Sequence, residues 1–220
     1  MFLTKTYEHD FVNLPTIVNE DTPNGRFYCT PAGNRYQSVT TFLGKHTDNS
    51  WLDEWKARVG EAEVEKRSTQ AKRRGTAVHA IIEQYLLNNK QFSRGHMPSN
   101  MVMFSAMRKV LDSRVGVIRG IELGLWSDQL RIAGRTDMLA EFDGVMSIVD
   151  FKTSKWPKDE EKVAGYYLQT TIYAMMVEEL LGIEVPQLAI LIGVDDEPAQ
   201  VFLSDSHKHR GEIVRLAALC

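Results

Sequence analysis

Residues 134–154 read GRTDMLAEFDGVMSIVDFKTS, and the fold turns on how this stretch divides. Asp143-Gly144 is a tight-turn signal between two apolar runs, so the flanking segments read as antiparallel neighbours. Asp137 stands six residues before Asp143, and Asp150 six after Gly144. Equal offsets place the two acids about opposite each other across the strand pair. Asp150 and Lys152, two residues apart, share one face of an extended chain. Two carboxylates this close repel unless a cation lies between them. Oxygen ligands with open water positions suit Mg²⁺ or Mn²⁺. Lys152 could orient or deprotonate a water and stabilise charge growing on a phosphate. The ordinary alternative is a pair of solvated strand ends with Lys152 paired to Asp150. Opposed acids with a lysine alongside favour the functional reading.

Working outward, strands are expected at about 116–126, 130–142 and 145–152, forming a meander. A long helix fits 159–181, followed by strands at 187–194 and 199–203 and a final helix from about Ser206. Upstream, Asn24-Gly25 and Gly33-Asn34 surround RFYCT as in a hairpin. Hydroxyl residues open a short helical run at Ser38–Gly44. Residues 50–87 read as helical, with Ser50 or Asp53 as N-cap and Gly75 as a break between two helices. Another helix fits 98–115, opened by Pro98 and Ser99. The expected class is α/β: one mixed central sheet flanked by helices, with a helical N-terminal addition. A single domain over 1–220 is expected, with a hairpin and helical part to about 115, a sheet core over 116–205, and a terminal helix.

The chain has 220 residues, 43% hydrophobic and 25% charged, with a net charge of −3. A length of this order supports a substantial core without staples. Nucleic-acid binding would have to come from a local basic surface rather than from the average charge. Two cysteines, Cys29 and Cys220, are too few and too distant for a disulfide scaffold, which fits a reducing, cytoplasmic setting. MFLTKTYEHDF lacks the apolar stretch of a signal peptide. No run approaches the roughly 18–20 apolar residues needed to span a bilayer, so no membrane partner is expected.

GRTD followed, after an apolar strand, by DFKTS resembles the PD-(D/E)xK nuclease superfamily. Within it the similarity is greatest to RecB-type exonuclease domains and their phage and mitochondrial-genome-maintenance relatives. Gly75-Thr76-Ala77-Val78-His79 is similar to the Gly-x-x-x-His element whose histidine is a metal ligand in that branch. Gln169-Thr170-Thr171-Ile172-Tyr173 is similar to its Gln-x-x-x-Tyr element. Ser38-Val39-Thr40-Thr41 resembles the hydroxyl-rich entry of its phage exonucleases. The resemblance covers about 38–194 and departs at Thr136, where the first motif often has proline.

The resemblance implies a restriction-endonuclease-like core and a metal-dependent DNA exonuclease acting on single strands or DNA ends in replication, recombination or repair. It implies His79, Asp137 and Asp150 as metal ligands, with the Phe151 carbonyl and Glu122 as further donors. It implies Lys152 at the attacking water, and Gln169 and Tyr173 positioning phosphate or lysine. The alternatives for Glu122 and for the Gln169–Tyr173 pair are an exposed sheet-face acid and ordinary packing. Arg135, Thr153 and Ser154 are expected on the DNA backbone together with Ser38, Thr40 and Thr41. Arg73 and Arg74, in a basic run before His79, form a phosphate track or a solvated face. Glu83 either accepts a hydrogen bond from His79 or faces water. Trp51 and Trp55 stack on bases or pack in the core. His207 and His209 have metal-like spacing but read as exposed. No nucleotide cofactor is expected, and a homo-oligomer, a single-strand-binding protein or a recombination protein is the kind of further partner implied. CRISPR-adaptation members of the branch hold an iron–sulfur cluster on cysteines, normally four; two distant cysteines argue against one here. The rival readings are a flap or junction endonuclease on the same scaffold and a non-catalytic DNA-binding module.

Overall fold

A computed structural model describes residues 5–46 and 50–219, the side chains of 50–54 excepted. The side chain of Trp51, and Cys220, therefore lie outside what the structure describes. The chain runs β1 (Val18–Thr22), β2 (Gly25–Cys29), β3 (Arg35–Ser38), α1 (Val39–His46), α2 (Ser50–Val59), α3 (Glu61–Leu86) and α4 (Pro98–Arg114). It continues through β4 (Val115–Ser127), β5 (Ile132–Phe142), β6 (Val145–Ser154), α5 (Glu160–Leu181), β7 (Gln187–Val194) and β8 (Gln200–Asp205). A 3-10 turn at Ser206–His209 leads into α6 (Arg210–Ala217).

β4, β5 and β6 form the expected antiparallel meander. Asp143 and Gly144 both take positive φ, 55° and 76°, as the tightest hairpin turns require. The Arg114 guanidinium holds the Asp143 carboxylate at 2.9 Å. β6 pairs in parallel with β7, and α5 supplies the crossover that parallel neighbours need. β8 closes that side antiparallel to β7. The sheet is therefore mixed.

β5 is where the sheet forks. Its start pairs in parallel with β3, Ile132 with Gln37 and Ala133 with Ser38. Its end pairs with β6 from Met138–Val149 onward. β4 runs along its opposite side over nearly the whole length. Residues 134–137 thus lie in the opening between two diverging partners. The N-terminal strands extend the sheet rather than standing apart from it, which the sequence reading did not foresee. β3 is four residues long and joins β5 through two pairs, too short for an alternation signal.

Period-two alternation divides the core. Met138, Ala140, Phe142, Val149 and Phe151 pack with α3 and α4 through Val78, Ile81, Tyr85, Phe104, Met107 and Leu111. Leu139, Ile148, Leu188 and Ile190 pack with Val39 and Phe42 of α1, Ile172 and Met176 of α5, and Ile213 of α6. Helices thus cover both faces.

Two outer strands are handled differently. Residues 8–12 run along β4, with Ile118 N–H donating to Glu8 O at 2.9 Å and Asp10 N–H to Ile118 O at 2.9 Å. Among the described residues β1 pairs only with β2; its Glu20 and Asp21 meet Arg35 at 3.0 Å and Arg26 at 2.7 Å.

Gly75 does not break the helix. α3 continues for 26 residues, Glu61–Leu86, and the interruption falls instead at Gly60, which has φ +87°. Lys72, Arg73 and Arg74 before Gly75 and Ala77 after it are good helix formers, and one internal glycine costs only about 1 kcal/mol relative to alanine. A Cβ at Gly75 would meet only Thr153 Oγ1, at 3.7 Å, an ordinary contact. Gly75→Ala should therefore stabilise the fold by about 0.5–1 kcal/mol, read from denaturant unfolding; a loss of stability would show that α3 is strained there.

Candidate active site

At the fork, the side chain of Asp137 takes over a backbone task. The β5–β6 ladder stops at Met138–Val149, and the Phe151 N–H donates at 2.7 Å to Asp137 Oδ2. Asp137 Oδ1 lies 3.4 Å from His79 Nδ1 on α3. The Phe151 ring meets the imidazole edge-on, with centroids 6.1 Å apart. Packing and charge together fix the histidine.

Glu122 arrives from β4. It sits between the Ile121–Met138 and Leu123–Thr136 pairs, opposite Asp137, and takes φ +48°. That left-handed conformation is costly for a residue with a Cβ and is typical of functional sites. β4 also has register shifts between Val115 and Gly120, and such bulges often re-aim side chains next to active sites. Among the described residues, His79, Glu122 and Asp137 each offer a ligand atom within 4.8 Å of the others. Two carboxylates and one imidazole fit a divalent cation that takes both oxygen and nitrogen donors.

Asp150 lies beside this group but faces a different cation. Its Oδ2 contacts Lys152 Nζ, and its side chain is only 4% exposed. Lys152 Nζ also lies 3.4 Å from Gln169 Oε1 and 5.0 Å from the Tyr166 ring centroid. Gln169 and Tyr173 stand one turn apart on α5. Tyr173 is buried because residue 134 is glycine: a Cβ there would stand 2.8 Å from Tyr173 Oη and 3.0 Å from Val39 Cγ2.

Charge balance sets the protonation preferences. Burial pushes the Asp150 carboxyl up to about 6; Lys152 opposes this, and Asp137 adds to it. Burial would also raise Asp137, but the His79 hydrogen bond and the charges of His79 and Lys152 bring it below the ordinary carboxylate range. His79 is raised: burial works against its charged form, and the hydrogen bond and charge of Asp137 outweigh burial. Lys152 is raised too, burial being overcome first by Asp150 and then by Asp137. Burial and the Asp137 charge raise Glu122. The lysine is thus held as an ammonium donor and the histidine as a partner of Asp137.

A cleft of about 540 Å³ opens onto this centre. His79, Glu122, Asp137, Gln169 and Tyr173 line it together with Glu83, Ser38, Thr40 and Arg135. Tyr28 and Arg26 of β2 wall its far side. Arg135 is exposed and lies 3.8 Å from Glu122.

The remaining sequence candidates are placed differently. The Ser38 hydroxyl accepts from Thr41 N–H at 3.0 Å and caps the start of α1. Thr41 Oγ1 accepts from Arg26 N–H at 3.1 Å, tying α1 to β2. The Ser154 hydroxyl, expected on DNA, is turned inward and donates to Trp156 O at 2.6 Å. It is largely buried, and that bond holds the turn after β6. Arg74 pairs with Asp195 at 2.7 Å and lines a second groove with Thr153 and Ser154 rather than the cleft. Arg73 is exposed on α3. Sequence reading missed Tyr166 and the packing role of Gly134. Tyr166 precedes Gln169 by three residues, the spacing of neighbours on one helix face.

Residues 101–217 match the model of the PD-(D/E)XK nuclease superfamily. No curated protein matches the chain in sequence. Solved structures similar to it include a protein of Eubacterium rectale described as a candidate exonuclease, 15% identical, with a TM-score of 0.39 over 66% of this chain and 68% of that one. SSO0001 is also similar, at 15% identity and a TM-score of 0.36 over 64% of this chain and 70% of that one. No helix among the described residues is long and apolar enough to cross a membrane.

The left-handed backbone at Glu122 predicts a difference between two substitutions that remove the same carboxylate. Glu122→Gly should unfold with about 1 kcal/mol more free energy than Glu122→Ala. Equal stabilities in denaturant titrations would show that residue 122 stores no strain.

Proposed function

The chain belongs to the PD-(D/E)XK nuclease superfamily, and on that premise we propose a Mg²⁺- or Mn²⁺-dependent deoxyribonuclease that works as an exonuclease on DNA ends or single strands. The observation that carries this reading is the meeting of His79, Glu122, Asp137, Asp150 and Lys152 at the fork of the sheet. His79, Glu122 and Asp137 would hold the ion, with Asp150 and the Phe151 carbonyl as further oxygen donors. A bound ion would polarise a phosphoryl oxygen and offset the charge that builds on it.

The chain's own groups do the rest. Lys152, pinned between Asp150 and Gln169, presents N–H donors to an attacking water and to the phosphate. Gln169 and Tyr173 limit where that ammonium can go, which fixes the line of attack. Asp137 holds His79 in one orientation while its second oxygen secures the β6 backbone. Arg135, exposed at the cleft rim, offers a guanidinium to the DNA backbone. Thr40 adds a hydroxyl beside it. The exonuclease mode rests on the Gly-x-x-x-His and Gln-x-x-x-Tyr elements that distinguish the RecB-like branch.

Labelled DNA with Mg²⁺ tests the reading. Asp150→Ala and Lys152→Ala should each reduce turnover by at least ~10²-fold, the scale of one lost electrostatic contact to the transition state. Undiminished cleavage by both variants would overturn it. Circular single-stranded DNA should survive intact; its cleavage would favour the endonuclease alternative.

The ion itself can be detected without turnover. Mg²⁺ or Mn²⁺ at about 100 times its dissociation constant should raise the melting temperature by roughly 5–10 °C. Asp137→Asn should abolish most of that rise.

A further inference from the structure

A second groove runs along the first half of α3 and the end of β6. Among the described residues its lining carries Lys66, Arg67, Arg74 and Lys155 against one acid, Glu63. Two of these cations are engaged: Arg67 pairs with Glu63 at 2.7 Å and Arg74 with Asp195 at 2.7 Å. The Arg67–Glu63 pair is exposed, and such pairs are weak. The described lining therefore presents net positive charge to solvent.

At its mouth stands Trp156, 69% exposed. An indole so open to water contributes little to a core, yet its position is built. Ser154 Oγ donates to Trp156 O at 2.6 Å and accepts from Trp156 N–H at 3.3 Å, holding the turn. Lys155 Nζ lies 5.3 Å from the indole centroid. A cation beside an aromatic face with further cations along the wall suits a base stacked on the ring and phosphates tracking the groove.

The groove flanks the catalytic centre. Thr153, next to Lys152, lines the groove, and Gly75 lines the cleft. A Cβ on Gly75 would stand 3.7 Å from Thr153 Oγ1, so only the contact of α3 with β6 separates the two depressions, and a strand leaving the cleft reaches the groove by passing over it.

We propose that this groove is a single-strand subsite: unpaired DNA continuous with the strand in the cleft follows Lys66 and Lys155 and stacks a base on Trp156. The inference rests on the nuclease reading and deepens it by naming the substrate as unpaired DNA, since a base inside a duplex has no free face to offer Trp156. Ser154 serves the subsite through the turn it holds.

The test is fluorescence anisotropy of the full chain with labelled dT16 and with a blunt 16-base-pair duplex, in EDTA to prevent cleavage; each probe length is about one single-strand site. Trp156→Ala should weaken dT16 binding about 10-fold, the order of one lost stacking contact, and change duplex binding by less than about 2-fold. Trp156→Phe should recover most of the loss. Lys66→Gln and Lys155→Gln should each reduce the slope of log Kd against log salt by about 0.7. Unchanged dT16 binding by Trp156→Ala, or equal losses on both probes, overturns the subsite. If the unaltered chain still cleaves labelled DNA with Mg²⁺, only the subsite falls. If it neither binds nor cleaves DNA, the nuclease reading falls with it.

Discussion

The hydrogen bond from Phe151 N–H to Asp137 Oδ2 is the join on which the centre depends. Where β5 and β6 part, a buried backbone donor would otherwise lack an acceptor, and an orphaned donor in a dry interior is expensive. A carboxylate satisfies it and keeps its other oxygen for His79. Thus the strand carrying Asp150 and Lys152 and the helix carrying His79 are indexed to one aspartate. An alanine at 137 would lose more than charge, because it would unfasten the β6 backbone beside the lysine.

The rest of the centre follows from confining several charges in little space. Carboxylates from three strands would repel one another if left alone. The histidine, the lysine and a site suited to a divalent ion divide that negative charge among them. The arrangement costs stability, visible in the raised Asp150 and Glu122 carboxyls and in the left-handed backbone at Glu122. Strain of this kind persists where the surrounding structure over-determines it. Here the β4–β5 pairs on either side of Glu122 do so.

The meander was readable because Asp143-Gly144 permits essentially one turn geometry, and that turn fixes which residues oppose each other. The pairing of Asp150 with Lys152 followed from strand alternation alone. Other features were hidden for physical reasons. The parallel junction of β3 with β5 spans two residue pairs across about a hundred residues of chain, so no local pattern announces it. Gly75 carries the signature of a helix break, but a neighbouring strand leaves it ample room. Ser38 and Ser154 have side chains equally suited to phosphate or backbone; only the fold shows that each holds a cap or a turn. The left-handed conformation of Glu122 lies in the regular stretch of β4 beyond its register shifts and has no sequence marker.

The acids on β1 have a consequence for how copies of this chain meet in solution. A hairpin that walls a cleft must leave one row of backbone donors and acceptors facing water, and such a row is a template on which another chain can add a strand. Glu20 and Asp21 place like charges on that row whenever two copies approach edge to edge. Arg35 and Arg26 partner them from within the same sheet, so the deterrent faces outward while the hairpin itself stays cross-braced.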